Sequence, residues 1–406
     1  MSVDIAADPP DLGPDVAPEV GNIPEPGMRE AVDAAEAVLR RRYGAKIELA
    51  EPEDLGGSKL STVIRVRVAS SPFSMPRTLV VKRYAEPAPS ESFVREAVSY
   101  QLFTALSAEE RMCPELYAHD PGSGVIVIED LGRAPTLADK LLGDDARGAE
   151  RALLSWARSL GRLHATTAGR EPDFDALMRR LSTTKVKGDP LAVNGPAAIE
   201  RLPQLLEDVL GVQTPAHVFE RAERTRWLLA TSRHRGFSPS DLCPDNNLIT
   251  SRGVRFLDFE GGCIRNIMLD AAYLRVPFPS CWCAFALPAG MTEAMFAAWR
   301  AEVRVVWPDL ADDAVVLPRM LDAQLFWVWA STFWFLPRPD EQDSPLDSHL
   351  PSPRRSVALA ARWRHLAEEA ARSGADNIVE HSKAVVAGLN KKFGPDLTLP
   401  MYPAFR

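Results

Sequence analysis

The sequence predicts a two-lobe α+β protein, and three observations carry that expectation. Short β-type runs cluster before residue 130, helical periodicity dominates from Leu137 onward, and one hairpin signal interrupts the helical part at Leu248–Asp258. The 406 residues are enough for two or three ordinary domains, and a chain 46% hydrophobic and 25% charged is near the globular average. The expected division is a tail at 1–27, a small antiparallel-sheet lobe with one helix and a connector at 28–132, and a large helical lobe at 133–406.

Residues 1–27 hold six prolines and six acids (Asp4, Asp8, Asp11, Asp15, Glu19, Glu25), too little apolar surface to offset the entropy of ordering. Met28–Tyr43 has helical spacing, and Lys46–Ala50, Thr62–Val68 and Thr78–Lys82 alternate as strands. A helix is expected from Ser90, its cap, to Leu106, with Phe93, Ala97, Tyr100 and Leu102 as its apolar face. Gly124–Glu129 is a continuous apolar run of strand length, and Asp130–Leu131 forms the connector. Among the later helices Ala149–Thr167 is strongly amphipathic; Leu248–Thr250 and Val254–Asp258 bracket the turn Ser251-Arg252-Gly253, and Pro339–Pro353 reads as a loop.

Lys+Arg of 47 against Asp+Glu of 55 gives a net charge of -8, and removing the six acids of the tail leaves the body near -2. A nucleic-acid binder draws its affinity from basic residues that release counterions, and the body has no basic excess. No nucleic acid and no membrane partner is expected, since the longest uncharged stretches, Val276–Thr292 and Ala323–Pro337, are prolyl-broken or too short for the ~18–20 residues of a span. Five cysteines without paired spacing and no signal-peptide pattern point to a reducing, cytoplasmic setting.

The chemistry concentrates in Ser238-Pro239-Ser240-Asp241-Leu242-Cys243-Pro244-Asp245-Asn246, followed after a hairpin by Leu257-Asp258-Phe259-Glu260. An Asp, an Asn five residues on, and a second Asp ending a strand is the layout of a phosphoryl-transfer site. The first accepts the acceptor-hydroxyl proton, and the other two offer the hard oxygens that magnesium prefers. Taken singly, Asp241 and Asn246 read more simply as an Asx turn; the combination is what carries information.

Three upstream features stand in the order such a site needs. Gly56-Gly57-Ser58 precedes the second strand, where backbone amides can approach a triphosphate. Lys82 ends the apolar run Leu79-Val80-Val81 in a chain of nine lysines and 38 arginines, and Glu96 lies 14 residues later on the helix, placed to pair with it. Glu129 ends the apolar strand and Asp130 and Leu131 follow it, and their backbone can bond an adenine edge.

On these residues the sequence resembles the aminoglycoside phosphotransferase and choline kinase superfamily, over roughly Glu51–Leu274. The family's catalytic loop usually reads His-Gly-Asp-Leu-His-Pro-x-Asn; here Pro239 and Cys243 stand at the two histidine positions. The resemblance implies a protein-kinase-like fold, with Asp241 as base, Asn246 and Asp258 as metal ligands, and Leu269-Asp270-Ala271 as the family's following helix start. It also implies ATP and magnesium as cofactors and a small-molecule hydroxyl as acceptor. Choline, ethanolamine or sugar kinases of the same fold, and a nucleotide-binding pseudokinase without turnover, are the alternatives.

Weaker signals have plainer readings. His164 in the amphipathic helix reads as a structural, hydrogen-bonded histidine. Cys281-Trp282-Cys283 lacks the four ligands of a structural zinc and reads as buried small hydrophobes. Trp327, Trp329 and Trp334 could present aromatic faces to a cation or could simply fill a helical core. Ten acids and four arginines between Glu293 and Asp347 are compatible with a cationic acceptor and equally with solvated helix faces; with the tryptophans they suggest a cationic acceptor.

Overall fold

The computed structural model describes residues 26–58, 61–85, 90–182, 188–276, 278–348 and 350–406. Of the expected tail, residues 1–25 lie outside the described residues, while Pro26 and Gly27 open the first helix.

The smaller lobe runs α1 (Pro26–Tyr43), β1 (Glu48–Ser58), β2 (Ser61–Ser70), β3 (Thr78–Tyr84), α2 (Glu91–Thr104), β4 (Leu116–Asp120) and β5 (Val125–Glu129). Its five strands form one antiparallel sheet in the order β1-β2-β3-β5-β4. Strand alternation decides which side chains meet which helix. Leu79, Val81, Val125 and Val127 point to α1, joining Ala31, Ala35, Val38 and Leu39 in one core. Tyr84, Ile126 and Ile128 point to the opposite face, into the core that holds Phe93, Tyr100 and Phe103 of α2. The unbroken apolar run of β5 therefore reports a sheet covered on both faces. On β3 the same parity puts Lys82 on the α2 side with Tyr84.

Ser90 caps α2, its hydroxyl accepting from the Phe93 amide at 3.2 Å. The sheet lobe thus has two helices where one was expected, the first being the segment already read as helical between Met28 and Tyr43.

The larger lobe contains α3 (Leu137–Leu142), α4 (Ala146–Thr166), α5 (Glu171–Leu181), α6 (Pro190–Leu210), α7 (Ala216–Arg224) and α8 (Trp227–Ala230). Then come β6 (Arg235–Ser238), β7 (Asn247–Thr250), β8 (Gly253–Phe256), β9 (Cys263–Asn266) and α9 (Ile267–Arg275). The chain closes with α10 (Met291–Val303), α11 (Asp313–Phe335), α12 (Arg355–Arg372) and α13 (Asp376–Phe393). Strands β7 and β8 form the expected hairpin. The pair β6 and β9 was not anticipated: four residues each, they carry Arg235, Arg265 and Asn266 and show no apolar alternation.

Trp156, Trp299, Trp329 and Trp363 are fully buried in this lobe. Each such side chain removes on the order of 200 Å² from water, about 5 kcal/mol at ~25 cal/mol per Å² as an upper bound. Among the described residues no helix is long and apolar enough to cross a membrane.

Helix α4 meets α10 at Gly161, where an added Cβ would lie 2.6 Å from the Trp299 carbonyl oxygen and 2.9 Å from Glu302 Cβ. Alanine in a helix interior gains up to ~1 kcal/mol over glycine, but overpacking against backbone costs about 1–3 kcal/mol. The clash wins because a carbonyl cannot rotate away, so Gly161→Ala is expected to lower the urea midpoint, which equilibrium unfolding measures.

Candidate active site

Lys82 is the electrostatic centre between the lobes. Its ammonium lies 2.9 Å from Glu96 of α2, 2.6 Å from Asp258 and 2.8 Å from Glu260, the last two from the loop after β8. Burial alone would push this lysine down, but attraction to Glu96, Asp258 and Glu260 outweighs it and holds the group charged, well above the ordinary lysine value. Glu96 is fully enclosed; burial pushes it up, Lys82 opposes, and the Tyr84 hydroxyl donates to it. One ammonium against three carboxylates leaves a surplus of negative charge on the cluster.

The glycine turn ends β1 in register with this site: Gly57 pairs with Thr62 of β2, and the neighbouring Val63 pairs with Lys82. Gly57 has φ 145°, and a Cβ there would sit 2.3 Å from the Ser61 carbonyl oxygen, so only glycine lets the hairpin close. Gly56 precedes it at φ 92°, and Ser58 is the last residue of β1.

At the connector, the Glu129 carboxylate reaches Arg252 of the β7–β8 turn at 3.0 Å, an ion pair between the lobes. Asp130 is held by Arg65 of β2 at 2.8 Å. Leu131 is half-buried, and among the described residues its main-chain N–H and C=O have no partner, which leaves them available to a ligand edge.

The loop bearing Asp241 leaves β6 through Ser240, whose φ of 70° is in the left-handed region unfavourable to side chains. The Asp241 carboxylate accepts from the Cys243 amide at 3.0 Å, and the Asn246 side chain also bonds to it. Asp241 is exposed to the cleft, but the protein packed around its carboxylate, with Asp245 and Asp258 adding repulsion, pushes the carboxyl up to about 6. A turn at Pro244–Asn246 follows, closed by the Asn246 amide on the Cys243 carbonyl at 3.0 Å.

Asp258 also sits at a positive φ, 58°. Gly261 brings its loop against the loop bearing Asp241, since a Cβ there would lie 2.8 Å from that of Ser240. Tertiary packing thus gathers Asp241, Asn246 and Asp258, with Glu96 and Glu260 adding carboxylate oxygens within 4.8 Å of Asp258. A set of hard oxygens carrying surplus negative charge fits magnesium.

Three features of the loop's support carry no local sequence signal. Arg265 of β9, fully buried, donates to the Ser238 hydroxyl at 2.5 Å, and the Ser240 amide donates to the same oxygen at 3.0 Å. Arg265 pairs with Asp270 at 3.2 Å, and Asp270 lies 3.1 Å from His164 Nε2. Trp299 donates to His164 Nδ1 at 2.9 Å, which fixes Nε2 as the protonated nitrogen facing Asp270, a structural role as expected. Second, Trp156 and the Cys243 carbonyl hold the Asn247 amide, at 3.0 and 2.7 Å. Third, Cys243 and Cys281 form a disulfide. This corrects the reading of unpaired cysteines: their separation of 38 residues carries no pairing signal, and only the fold brings them together.

Of the two readings left open for the tryptophans, the structure bears out the core for two of the three. Trp327 and Trp329 are buried, and Trp327 Nε1 donates to the Leu269 carbonyl at 2.7 Å, so their faces are core rather than ligand surface. The acids of the same region have partners of their own, as Asp309 with His234 and Arg319, Asp313 with Arg300, and Asp322 with Arg221. Trp334 is half-buried, so most, though not all, of what suggested a cationic acceptor has a structural explanation.

The model of the phosphotransferase enzyme family matches residues 64–308, and the chain belongs to that family. It is accordingly a small-molecule kinase by class, with the two-lobe architecture described above. No curated protein matches it. Among solved structures it is similar to a choline/ethanolamine kinase family protein from Mesorhizobium loti, with 16% identity, 87% of this chain and 99% of that one covered, and a TM-score of 0.43. It is also similar to a choline kinase from Cryptosporidium parvum Iowa II, at 13% identity, 82% and 93% coverage and a TM-score of 0.46. A third similar structure is the streptomycin–ATP–APH(2″)-IIa ternary complex, at 13% identity, 73% and 90% coverage and a TM-score of 0.42.

Removing Arg265 would leave Asp270 buried without its cation. Breaking such a pair costs about 3–5 kcal/mol, so Arg265→Met is expected to lower stability by that order in denaturant unfolding. Arg265→Met combined with Asp270→Leu should recover part of the loss, because no charge is then stranded.

Proposed function

We propose that this chain transfers the γ-phosphoryl group of ATP to a hydroxyl of a small molecule, with Asp241 as the base and Lys82 orienting the phosphates. The observation that carries the reading is the convergence of Asp241, Asn246, Asp258 and the Glu96-anchored Lys82 on one interlobe cleft, within a chain of the phosphotransferase family. The Gly56-Gly57 turn offers main-chain amides to the phosphates, and the backbone from Glu129 to Leu131 offers its polar groups to the base.

Asn246 and Asp258 would hold magnesium, with Glu260 close by; when bound, the ion supplies charge neutralisation for the phosphates. Lys82 would exchange part of its carboxylate contacts for phosphate oxygens, while Glu96 keeps it aimed. Asp241 accepts the hydroxyl proton at its carboxylate and fixes the direction of attack. In a loose transition state, positioning and electrostatics contribute more than basicity. If the acceptor carries positive charge, the acids available to it are those of the catalytic loop, Asp241 and Asp245, rather than those near the buried tryptophans.

The test is a magnesium- and ATP-dependent phosphorylation screen over aminoglycosides, amino alcohols, nucleosides and sugars, read by mass increase. Asp241→Asn is expected to keep ATP affinity and lower kcat about 10²–10⁴-fold. Asp258→Ala should lose magnesium-dependent ATP binding, and Lys82→Ala should weaken ATP at least about tenfold by calorimetry. Failure of the wild type to bind ATP or GTP with magnesium would overturn the reading.

Asp241 also predicts a pH dependence. Its carboxyl at about 6 in the folded chain, against an ordinary value of 3.8, means the native state holds that proton more tightly than the unfolded one. Its contribution to stability is therefore lost as pH rises from near 4 to about 6. Asp241→Asn should be more stable than wild type at pH 7, an advantage that fades below pH 4, as urea unfolding at the two pH values measures. In turnover, the ionised base is required, so activity should fall on the acid side.

A further inference from the structure

Three of the five cysteines gather behind the catalytic loop. Cys243 is joined to Cys281, and Cys283 Sγ lies 3.1 Å from Cys281 Sγ; the other two, Cys113 and Cys263, are buried and free. We propose that the Cys243–Cys281 bond is a thiol-modification site, at which a dithiol reductant sets the order of the catalytic loop and so the rate of phosphoryl transfer. The proposal rests on reading that loop as the catalytic one.

The argument starts from what the Cys243 main chain holds. Its N–H donates to the Asp241 carboxylate at 3.0 Å. Its carbonyl accepts from the Asn246 amide at 3.0 Å and from the Asn247 side chain at 2.7 Å. Whatever fixes residue 243 thus fixes the base and the turn bearing the proposed metal ligand at once. No hydrogen-bonding side chain is available to do so at 243, so the sulfur supplies the anchor covalently.

The other end of the bond is itself held. Between the two cysteines of its segment, Trp282 Nε1 donates to Asp245 of the catalytic loop at 2.8 Å, a second grip beside the first. The C-terminal residues strap this segment: the Ala286 amide donates to the Pro400 carbonyl at 2.9 Å, the Tyr402 amide to the Ala286 carbonyl at 3.0 Å, and the Tyr402 hydroxyl to the Cys283 carbonyl. One covalent bond therefore ties the catalytic turn to a fixed wall of the helical lobe.

The step is a thiol–disulfide exchange. Both cysteines are buried, so the reductant's thiolate attacks one sulfur when the loop opens locally; the Cys243–Cys281 bond breaks, and the reductant's second thiol closes its own disulfide. Two electrons and two protons end on the Cys243 and Cys281 sulfurs, and the oxidised reductant runs the step backward. Cys283 stays a bystander, since burial pushes its thiol up and keeps it protonated and poorly nucleophilic. After reduction the Trp282–Asp245 hydrogen bond is what remains between the loop and the segment of Cys281, and with the covalent tie gone the hydrogen bonds of Cys243 to Asp241 and Asn246 open more often.

The experiment uses the full chain with dithiothreitol as the reductant. Without reduction, alkylation and peptide mapping should find Cys243 linked to Cys281 and three alkylated cysteines. Across the reductant range in which that linked peptide disappears, amide hydrogen exchange of the segment from Cys243 to Leu248 should rise about tenfold. Magnesium-dependent ATP turnover should fall in parallel, with ATP affinity retained. Cys281→Ser should behave as reduced wild type and ignore dithiothreitol; Cys283→Ser and Cys113→Ser should keep the response. Five alkylated cysteines without reduction, or exchange and turnover unchanged as the linked peptide disappears, would overturn the inference. Absence of ATP binding in both redox states would instead tell against the phosphotransferase reading, and the exchange measurement still decides the role of the bond without needing an acceptor or a folded variant.

Discussion

An ammonium as enclosed as that of Lys82 stays charged only if carboxylates surround it, and here they come from different parts of the fold: Glu96 from α2, Asp258 and Glu260 from the loop after β8. That requirement ties the small lobe to the large one. The parity of β3 turns Lys82 toward α2, and the Ser90 cap starts α2 where Glu96 can reach it. The glycines at 261 and 262 bring the Asp258 loop close enough to complete the set. Displacing any of these would strand a charge away from water, at a cost of several kcal/mol.

The loop bearing Asp241 obeys the same electrostatic logic one layer down. Arg265 and Asp270 are both buried, and each is tolerated because the other is there; burial would push Asp270 up, yet Arg265 and His164 hold it below the ordinary range. Arg265 also donates to the Ser238 hydroxyl, which accepts from the amide of the strained Ser240 and so helps to orient Asp241. Two residues at positive φ, Ser240 and Asp258, thus stand at the site and are held by well-packed surroundings. Strain of this kind persists where a rigid frame over-determines the backbone.

Support for the loop is redistributed here. Proline and cysteine occupy the positions where the family usually has histidines, and the bracing comes from a guanidinium below the loop and sulfur beside it. The Asp241 carboxyl, pushed up to about 6 by its surroundings, remains ionised near neutrality. The departures from the usual motif therefore change how the loop is held rather than which groups it presents.

Much of this was legible in the chain itself. The hairpin of β7 and β8, the strand pattern around Lys82 and the unbroken apolar run of β5 are contiguous patterns, and local periodicity and turn chemistry suffice to read them. What was missed is what pairs over distance. Strands β6 and β9 are short and charged, so nothing in either announces its partner. The tryptophans looked equally suited to a ligand and a core, and burial alone separates the two. Glu260 stood in the quoted motif, but its contact with Lys82 depends on the path of the loop.

The sequence by itself determined most of the element types, the order of the two lobes and the residue types of the candidate site, because each of those is written in a short local pattern. Only the tertiary structure decided the Lys82–Asp258 contact across 176 residues, the Arg265 brace and the cysteine pair. Those depend on where many weak packing contacts place distant backbones, and no single stretch of chain contains that sum.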